Sequence, residues 1–227
     1  MLRRLVAAAA VVVLATPAPA QDLGLVEGLF REVSAVTVFY QSGGVRGSEQ
    51  VTGGPLHGAG SEVLVNLRST PTVSYELGLG ASFLRGYAAR EPSLDLRASL
   101  RALPTVSLYA TREGLFGPVS AYLGGTFGLV ELWNAQAYGP SGQPWDVEAR
   151  TFELGASGGL FLSAGPLSGL FVEGGYRSRD FHSVRWSSRA EEALPLEWPR
   201  SLDFSGPIVS VGWQVQLGGA RGGEDAG

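Results

Sequence analysis

Charged side chains lie among small residues on one side of several alternating segments, and they are the groups in this sequence most able to do chemistry. Inside a protein such groups must pair, because an isolated buried charge loses its hydration without compensation. We therefore expect Arg–Glu pairs, with Glu76 and Arg97 as one candidate. Two roles fit such a network: a structural plug, or a narrow gated pore in which charged partners exchange. The candidate residues are Arg68, Glu76, Arg97, Arg101, Glu153, Glu173 and Arg177.

The two histidines offer a weaker case for catalysis. His57 follows a glycine-rich stretch and is expected to be a solvated loop residue, whereas His182 adjoins Ser183. A lipid-modifying hydrolase would need Ser, His and an acid within hydrogen-bond reach. Consecutive side chains of an extended segment point to opposite faces, so His182 and Ser183 could not meet there. We expect no enzyme and no catalytic residues.

Composition excludes several other classes of function. The chain has no Cys, which excludes disulfides and thiolate metal sites, and a net charge of −4 without any Lys. Nucleic-acid binding depends on Lys and Arg that neutralise phosphates, so it is not expected. No glycine-rich phosphate loop follows a strand, and no His pair or acidic cluster has ligand spacing. We expect no cofactor and no metal.

The first twenty residues have the pattern of a secretory signal peptide. Arg3 and Arg4 are followed by the apolar run 5–15 and by small residues up to Ala20. The run is too short for a membrane-spanning helix, which needs about 20 apolar residues. An ordinary buried helix is the alternative. The sequence predicts a signal peptide at 1–20, a folded domain at 21–217 and a flexible glycine-rich tail at 218–227.

Alternation of apolar with small or polar residues predicts eight strands. In segment 72–85, Val73, Tyr75 and Leu77 share one face, and Ser74 and Glu76 share the other. Side chains alternate across a strand, so each segment has one apolar face. Pro104 interrupts segment 94–111 and predicts either a bulge or two merged elements. The remaining segments are 34–40, whose phase is unclear, 62–68, 119–129, 150–163, 170–179 and 208–217.

The connections between these segments alternate in length. Connections 69–71, 113–118 and 164–168 are short, whereas 41–60, 86–93, 134–147 and 180–203 are long. This is typical of an eight-stranded antiparallel up-and-down transmembrane β-barrel, with lipid on its apolar face and a lumen filled by Arg, Glu and small residues. A soluble periplasmic β-sandwich is the alternative. Connection 180–203 is unusually apolar, which predicts a loop folded over the barrel mouth or a contact with a partner or lipid headgroups.

On these features the chain resembles the small eight-stranded outer-membrane barrels, the OmpA transmembrane domain and the OmpX-like family. The resemblance rests on the signal 1–20, segments 73–83 and 118–125, and the closing segment 209–217. One departure is that the last strand ends at Leu217 without a terminal aromatic residue and is followed by a tail.

The resemblance implies Sec export, insertion into a Gram-negative outer membrane by the barrel-assembly machinery, contact with outer-membrane lipid, and a monomer. It implies a structural or surface-interaction role, with envelope integrity, adhesion and host interaction among the family's functions. A narrow gated pore and a lipid-modifying enzyme are the alternatives.

Overall fold

The computed structural model describes residues 33–44, 47–48, 51–91, 94–139, 142–165, 167–188 and 198–217. The predicted signal peptide 1–20 and the predicted tail 218–227 lie outside these residues. Within the described part of the chain, every regular element is a β-strand. The same residues include no helix that is long and apolar enough to cross a membrane.

Eight long strands form one closed barrel. They are β1 Val33–Gly43, β2 Leu56–Ser69, β3 Val73–Glu91, β4 Leu94–Phe116, β5 Val119–Leu132, β6 Arg150–Gly165, β7 Ser168–Ser178 and β8 Gly206–Gln216. Each strand pairs antiparallel with the next one along the chain. Strand β1 also pairs with β8, which closes the ring. The eight-stranded antiparallel barrel predicted from the sequence is therefore confirmed.

Short and long connections alternate around the barrel, with one departure from the prediction. Connections 70–72, 117–118 and 166–167 are tight, whereas 44–55, 133–149 and 179–205 are long. The loop predicted at 86–93 is wrong for its described residues 86–91, because these belong to β3 and pair with β4, with Glu91 opposite Leu94. The long connections contain the short strands Gly47–Ser48, Val51–Thr52, Ala135–Tyr138, Pro144–Glu148, Asp180–Phe181, Arg185–Ser188 and Leu202–Asp203.

Pro104 lies in a bulge of one continuous strand. Pairing between β4 and β5 passes from Ala102 directly to Thr105, which leaves Leu103 and Pro104 unpaired. The predicted bulge is therefore present, and the alternative of two merged elements is wrong. A bulge reverses which side chains face inward. Even-numbered residues of β4 are buried before the bulge, and odd-numbered ones line the interior after it.

The outer wall of the barrel is apolar and uncovered. Leu123 is 71% exposed, and Phe152 and Leu154 are each 64% exposed. Proteins folded in water rarely leave so large an apolar surface uncovered, whereas a transmembrane barrel presents such a band to lipid. The alternative of a soluble β-sandwich requires these alternating apolar faces to be buried against each other. The exposure of the faces shows that this alternative is wrong.

The interior changes from polar to apolar along the barrel axis. On β3 the change falls between Ser82 and Leu84, and on β4 it falls between Thr105 and Ala102. The polar part, toward the short turns, is called here the lumen cavity. The apolar part, toward the long connections, is called the cap. The buried cap residues are Leu56, Leu84, Ala88, Leu94, Leu96, Ala98, Leu100, Ala102, Val130, Leu132, Ala135, Ala137, Trp145, Val147, Ala149, Phe181, Trp198, Leu202 and Phe204.

Candidate functional site

The lumen cavity is the main candidate site in the described part of the chain. Its volume is about 900 Å³, and it extends to the end of the barrel that carries the short turns. Gly117 of a short turn lines it, as do Gly114 and Gly165 near the ends of β4 and β6. None of the cap residues lines the cavity. The cavity is therefore a polar chamber at the short-turn end, with an apolar cluster beyond its other end.

Several charged residues predicted for the lumen line this cavity. They are Glu76, Glu153, Glu173 and Arg177. Their strands place them there through the period of two, because each lies on the same face as small residues that leave the interior open. Ser34 of β1 hydrogen-bonds one of them, with its hydroxyl 3.1 Å from Oε1 of Glu76.

The strongest ion pair in the cavity joins Glu153 of β6 to Arg179, which follows β7. The Arg179 Nε donates to Glu153 Oε2 at 2.6 Å, and the two side chains are only 5% and 2% exposed. The sequence prediction omitted Arg179, although it has the same alternation phase as Arg177 two residues earlier. A buried pair of this kind holds β6 against the segment that follows β7, because separating the charges leaves each without compensation.

The other interior carboxylates have hydroxyl donors. Tyr109 donates to Glu62 Oε2 at 2.9 Å, and Ser157 donates to Glu173 Oε2 at 3.0 Å. Arg177 Nη2 lies 3.9 Å from Glu173 Oε1, which makes a looser ion pair. Glu62 was also omitted from the sequence prediction, although it shares the inward face of β2 with Leu64 and Asn66. A buried network with satisfied carboxylates rigidifies the interior rather than leaving a reactive group.

Arg97 and Arg101 lie outside the lumen, which corrects the sequence prediction. The Arg97 side chain is 57% exposed, pairs with Asp95 at 3.3 Å and lies over the Tyr87 ring. The Arg101 side chain is 45% exposed and forms an ion pair with Glu131. Both residues precede the Pro104 bulge, in the part of β4 whose odd-numbered residues face outward.

The predicted Glu76–Arg97 pair is therefore wrong. Glu76 is opposite Tyr109 near the short-turn end, whereas Arg97 is opposite Tyr87 in the ribbon beyond the barrel. Arg68 is also misplaced by the prediction, because it is exposed and outside the cavity. A register shift between Asn66 and Arg68 turns its side chain away from the inward face.

Glycines on the inward wall make room for the large polar side chains. A Cβ at Gly124 would collide with the Tyr109 ring opposite it, and one at Gly155 would collide with the Arg177 guanidinium. Small residues on one strand therefore accommodate large ones on the next. This arrangement explains why glycines occur at inward positions of strands that are otherwise rich in apolar residues.

We expect Gly124→Val to destabilise the barrel by about 1–3 kcal/mol, because overpacking displaces Tyr109 and its hydrogen bond to Glu62. Urea unfolding of the refolded protein in detergent measures the change. Gly174→Val is the matched control, since a Cβ there meets no atom within 4 Å. Equal effects of the two substitutions would contradict this account of the glycines.

The cap contains aromatic residues from two connections, 133–149 and 179–205. Phe181 packs edge-on against Phe204 with ring centroids 5.3 Å apart, and Trp198 packs against Trp145 at the same distance. Trp186 Nε1 donates to the Pro199 carbonyl oxygen at 3.0 Å. In its described residues, connection 180–203 is folded over the barrel mouth, as one of the two interpretations predicted. Residues 189–197, with Glu191, Glu192 and Leu194, lie outside the described part.

The histidines do not form a catalytic triad within the described residues. His57 lies in β2 rather than in the predicted loop, and its Nδ1 is 2.9 Å from Ser42 Oγ and 3.1 Å from Tyr40 OH. No described carboxylate forms an ion pair with it. His182 Nε2 lies 3.6 Å from Asp180 Oδ2, with no serine hydrogen bond among the described residues. The Ser42–His57 proximity was missed because the two residues are 15 positions apart.

Comparisons with known proteins concern the fold alone. No family model and no curated protein matches the chain. Among solved structures, Neisserial surface protein A is similar at 16% identity and a TM-score of 0.45, covering 81% of this chain and 99% of that one. Ail of Yersinia pestis is similar at 10% identity and a TM-score of 0.47, with 82% and 99% covered. The outer membrane protein OprG of Pseudomonas aeruginosa is similar at 9% identity and a TM-score of 0.49, with 82% and 97% covered.

These structures belong to the group that the sequence resembles. At such identities and TM-scores, the assignment of an eight-stranded barrel rests on the strand pairing of this chain itself.

Proposed function

We propose that this chain is an integral outer-membrane protein, a closed β-barrel with a structural or surface-interaction role. The observation that carries the proposal is the inverted polarity of the barrel: its outer wall is apolar and exposed, and its lumen is polar. Water would favour the opposite arrangement, whereas a bilayer requires this one because it offers no hydrogen-bond partners. Residues 1–20 would direct export and be removed, and the barrel-assembly machinery would insert a monomer.

The cap supports a closed barrel rather than an open pore. Its aromatic and aliphatic side chains fill the end of the barrel beyond the lumen cavity, and Phe181 is fully buried there. Eight strands enclose an interior that side chains can fill. An ion would have to displace this apolar cluster to cross. The role of the exposed connections is then contact with other molecules, for which the cap supplies a rigid base.

Fractionation tests the membrane location. We expect the protein in the outer-membrane fraction, beginning near Gln21, with a gel mobility in SDS that changes on boiling. Recovery in the soluble fraction without this heat shift would exclude the membrane barrel.

Conductance across a planar bilayer tests the closed state. We expect the refolded protein to give no steady single-channel current. A regular current from the intact protein would replace the structural role with that of a narrow pore.

A further inference from the structure

A row of charged side chains crosses the outer wall at the cap end of the lipid-facing band. Arg101 of β4 is opposite Glu131 of β5, which is opposite Arg150 of β6. On its own strand, each of these residues is two positions from an apolar residue of the lipid-facing band, as Arg150 is from Phe152. Two residues of a strand span about 7 Å. The row therefore lies at the level of the lipid headgroups if the apolar band spans the bilayer.

The positive charges in this region exceed the negative one. Glu131 is shared, since it pairs with Arg101 and its Oε2 lies 3.3 Å from Arg150 Nε. The Arg150 side chain is 77% exposed. Arg85, exposed and two residues from Phe83 on β3, adds a third guanidinium. Each guanidinium has five N–H donors, so one carboxylate leaves most of them available for another anion.

The Arg101 guanidinium is held in place by an aromatic cluster. Its Cζ lies 5.6 Å from the centroid of the Trp133 ring, a cation–π distance. Trp133 in turn packs edge-on against Phe83, with ring centroids 5.4 Å apart. A cation that is already oriented loses less conformational entropy when it binds an anion.

A shallow groove opens on the outer wall beside Arg101. Its floor consists of small residues of β2 and β3, among them Ala59, Gly60 and Ala81, and Phe83 and Leu103 form its sides. The volume of the groove is about 340 Å³, and its surface is mainly apolar. The Pro104 bulge interrupts the pairing of β4 at this point, and Leu103 of the bulge lines the groove. The groove thus continues the lipid-facing band and ends at a guanidinium.

We propose that this groove binds an acyl chain of a phosphorylated glycolipid of the outer leaflet, and that Arg101 and Arg85 bind its phosphate. The inference rests on the proposed outer-membrane location, which gives the cap end its glycolipid neighbours. An apolar groove with guanidinium groups at its end is complementary to a lipid that carries phosphate at its headgroup. Glu131 competes with that phosphate for Arg101 and Arg150.

Native mass spectrometry of the refolded protein in a zwitterionic detergent tests the proposal, with lipid A as the probe. We expect one tightly bound lipid A and an affinity about tenfold lower for Arg101→Gln, the effect of losing one charge-assisted contact. Glu131→Gln should bind more tightly, because it frees two guanidiniums. Arg112→Gln is the matched control, an exposed arginine of the same strand at the opposite end of the barrel.

Two further measurements distinguish the contribution of the groove to lipid A binding from that of the phosphate contact. Ala81→Phe fills the groove and should weaken lipid A binding, and dephosphorylated lipid A should bind no better to the wild type than to Arg101→Gln. Equal affinities of Arg101→Gln and Arg112→Gln, or an unchanged affinity of Ala81→Phe, would overturn the site. Equal binding of phosphatidylglycerol would overturn the assignment to a glycolipid. Each variant is first checked for the heat shift, whose absence in the wild type would instead contradict the proposed function.

Discussion

Replacement of Arg179 by alanine is expected to lower the free energy of unfolding by about 3–5 kcal/mol, because it leaves Glu153 buried without a counter-charge. The Glu153 side chain is only 2% exposed, and its Oε2 accepts the 2.6 Å hydrogen bond from Arg179. Urea unfolding of the refolded barrel in detergent, followed by tryptophan fluorescence and by the heat shift on gels, measures the loss.

The double variant Glu153→Met/Arg179→Met separates the loss of the ion pair itself from the penalty of leaving a buried carboxylate without a counter-charge. Removing both charges eliminates the uncompensated carboxylate, so the double variant should be more stable than Arg179→Ala. Arg150→Ala is the exposed control, whose ion pair with Glu131 should contribute less than about 1 kcal/mol. A loss for Arg179→Ala no larger than that of Arg150→Ala would show that the buried pair does not hold β6 to the end of β7.

Replacement of Phe181 by alanine is expected to destabilise the cap by about 3–5 kcal/mol, the range for a buried phenylalanine truncated to alanine. Phe181 is fully buried and packs against Phe204. The cap and the barrel can respond separately, because stability is not uniform across a structure. We expect faster hydrogen exchange in segments 180–188 and 198–205, with an unchanged heat shift of the barrel.

Phe116→Ala is the control for this second substitution. Phe116 is also at the end of a strand but is 76% exposed at a short turn, so its removal should leave exchange in the cap unchanged. Slow exchange in the Phe181→Ala cap, at the wild-type rate, would show that other contacts close the barrel mouth. A new steady conductance in Phe181→Ala would identify the cap as the barrier to ions.

The alternation of apolar and polar residues predicts which side chains face the lumen wherever a strand has no bulge. Glu153 and Glu173 occur in segments with a continuous period of two, and both line the cavity. Arg97 and Arg101 occur before a bulge, where β4 has one residue more than β5 between Ala102 and Thr105, and this extra residue reverses the faces relative to the rest of β4. The sequence marks Pro104 as irregular, but it does not show which half of the strand keeps the expected phase.

The partners of the charged groups could not be predicted from alternation alone. Glu153 and Arg179 are 26 residues apart, and the pair depends on where β7 ends relative to β6. The Tyr109–Glu62 hydrogen bond spans 47 residues and crosses strands that are not adjacent in the ring. Such contacts depend on how the sheet closes, because closure and stagger decide which side chains meet across the lumen.

Sequence alone determined the number of strands, their antiparallel order, the lengths of most connections and the apolar outer wall. These properties follow from the period of two and from turn residues, which act within a few positions of the chain. The tertiary structure decided the phase beyond each bulge, the ion pairs of the lumen and the apolar cap. A single inserted residue reverses every later side chain, and the aromatic residues of the cap come from connections far apart in the chain. Neither effect can be predicted before the pairing of the strands is known.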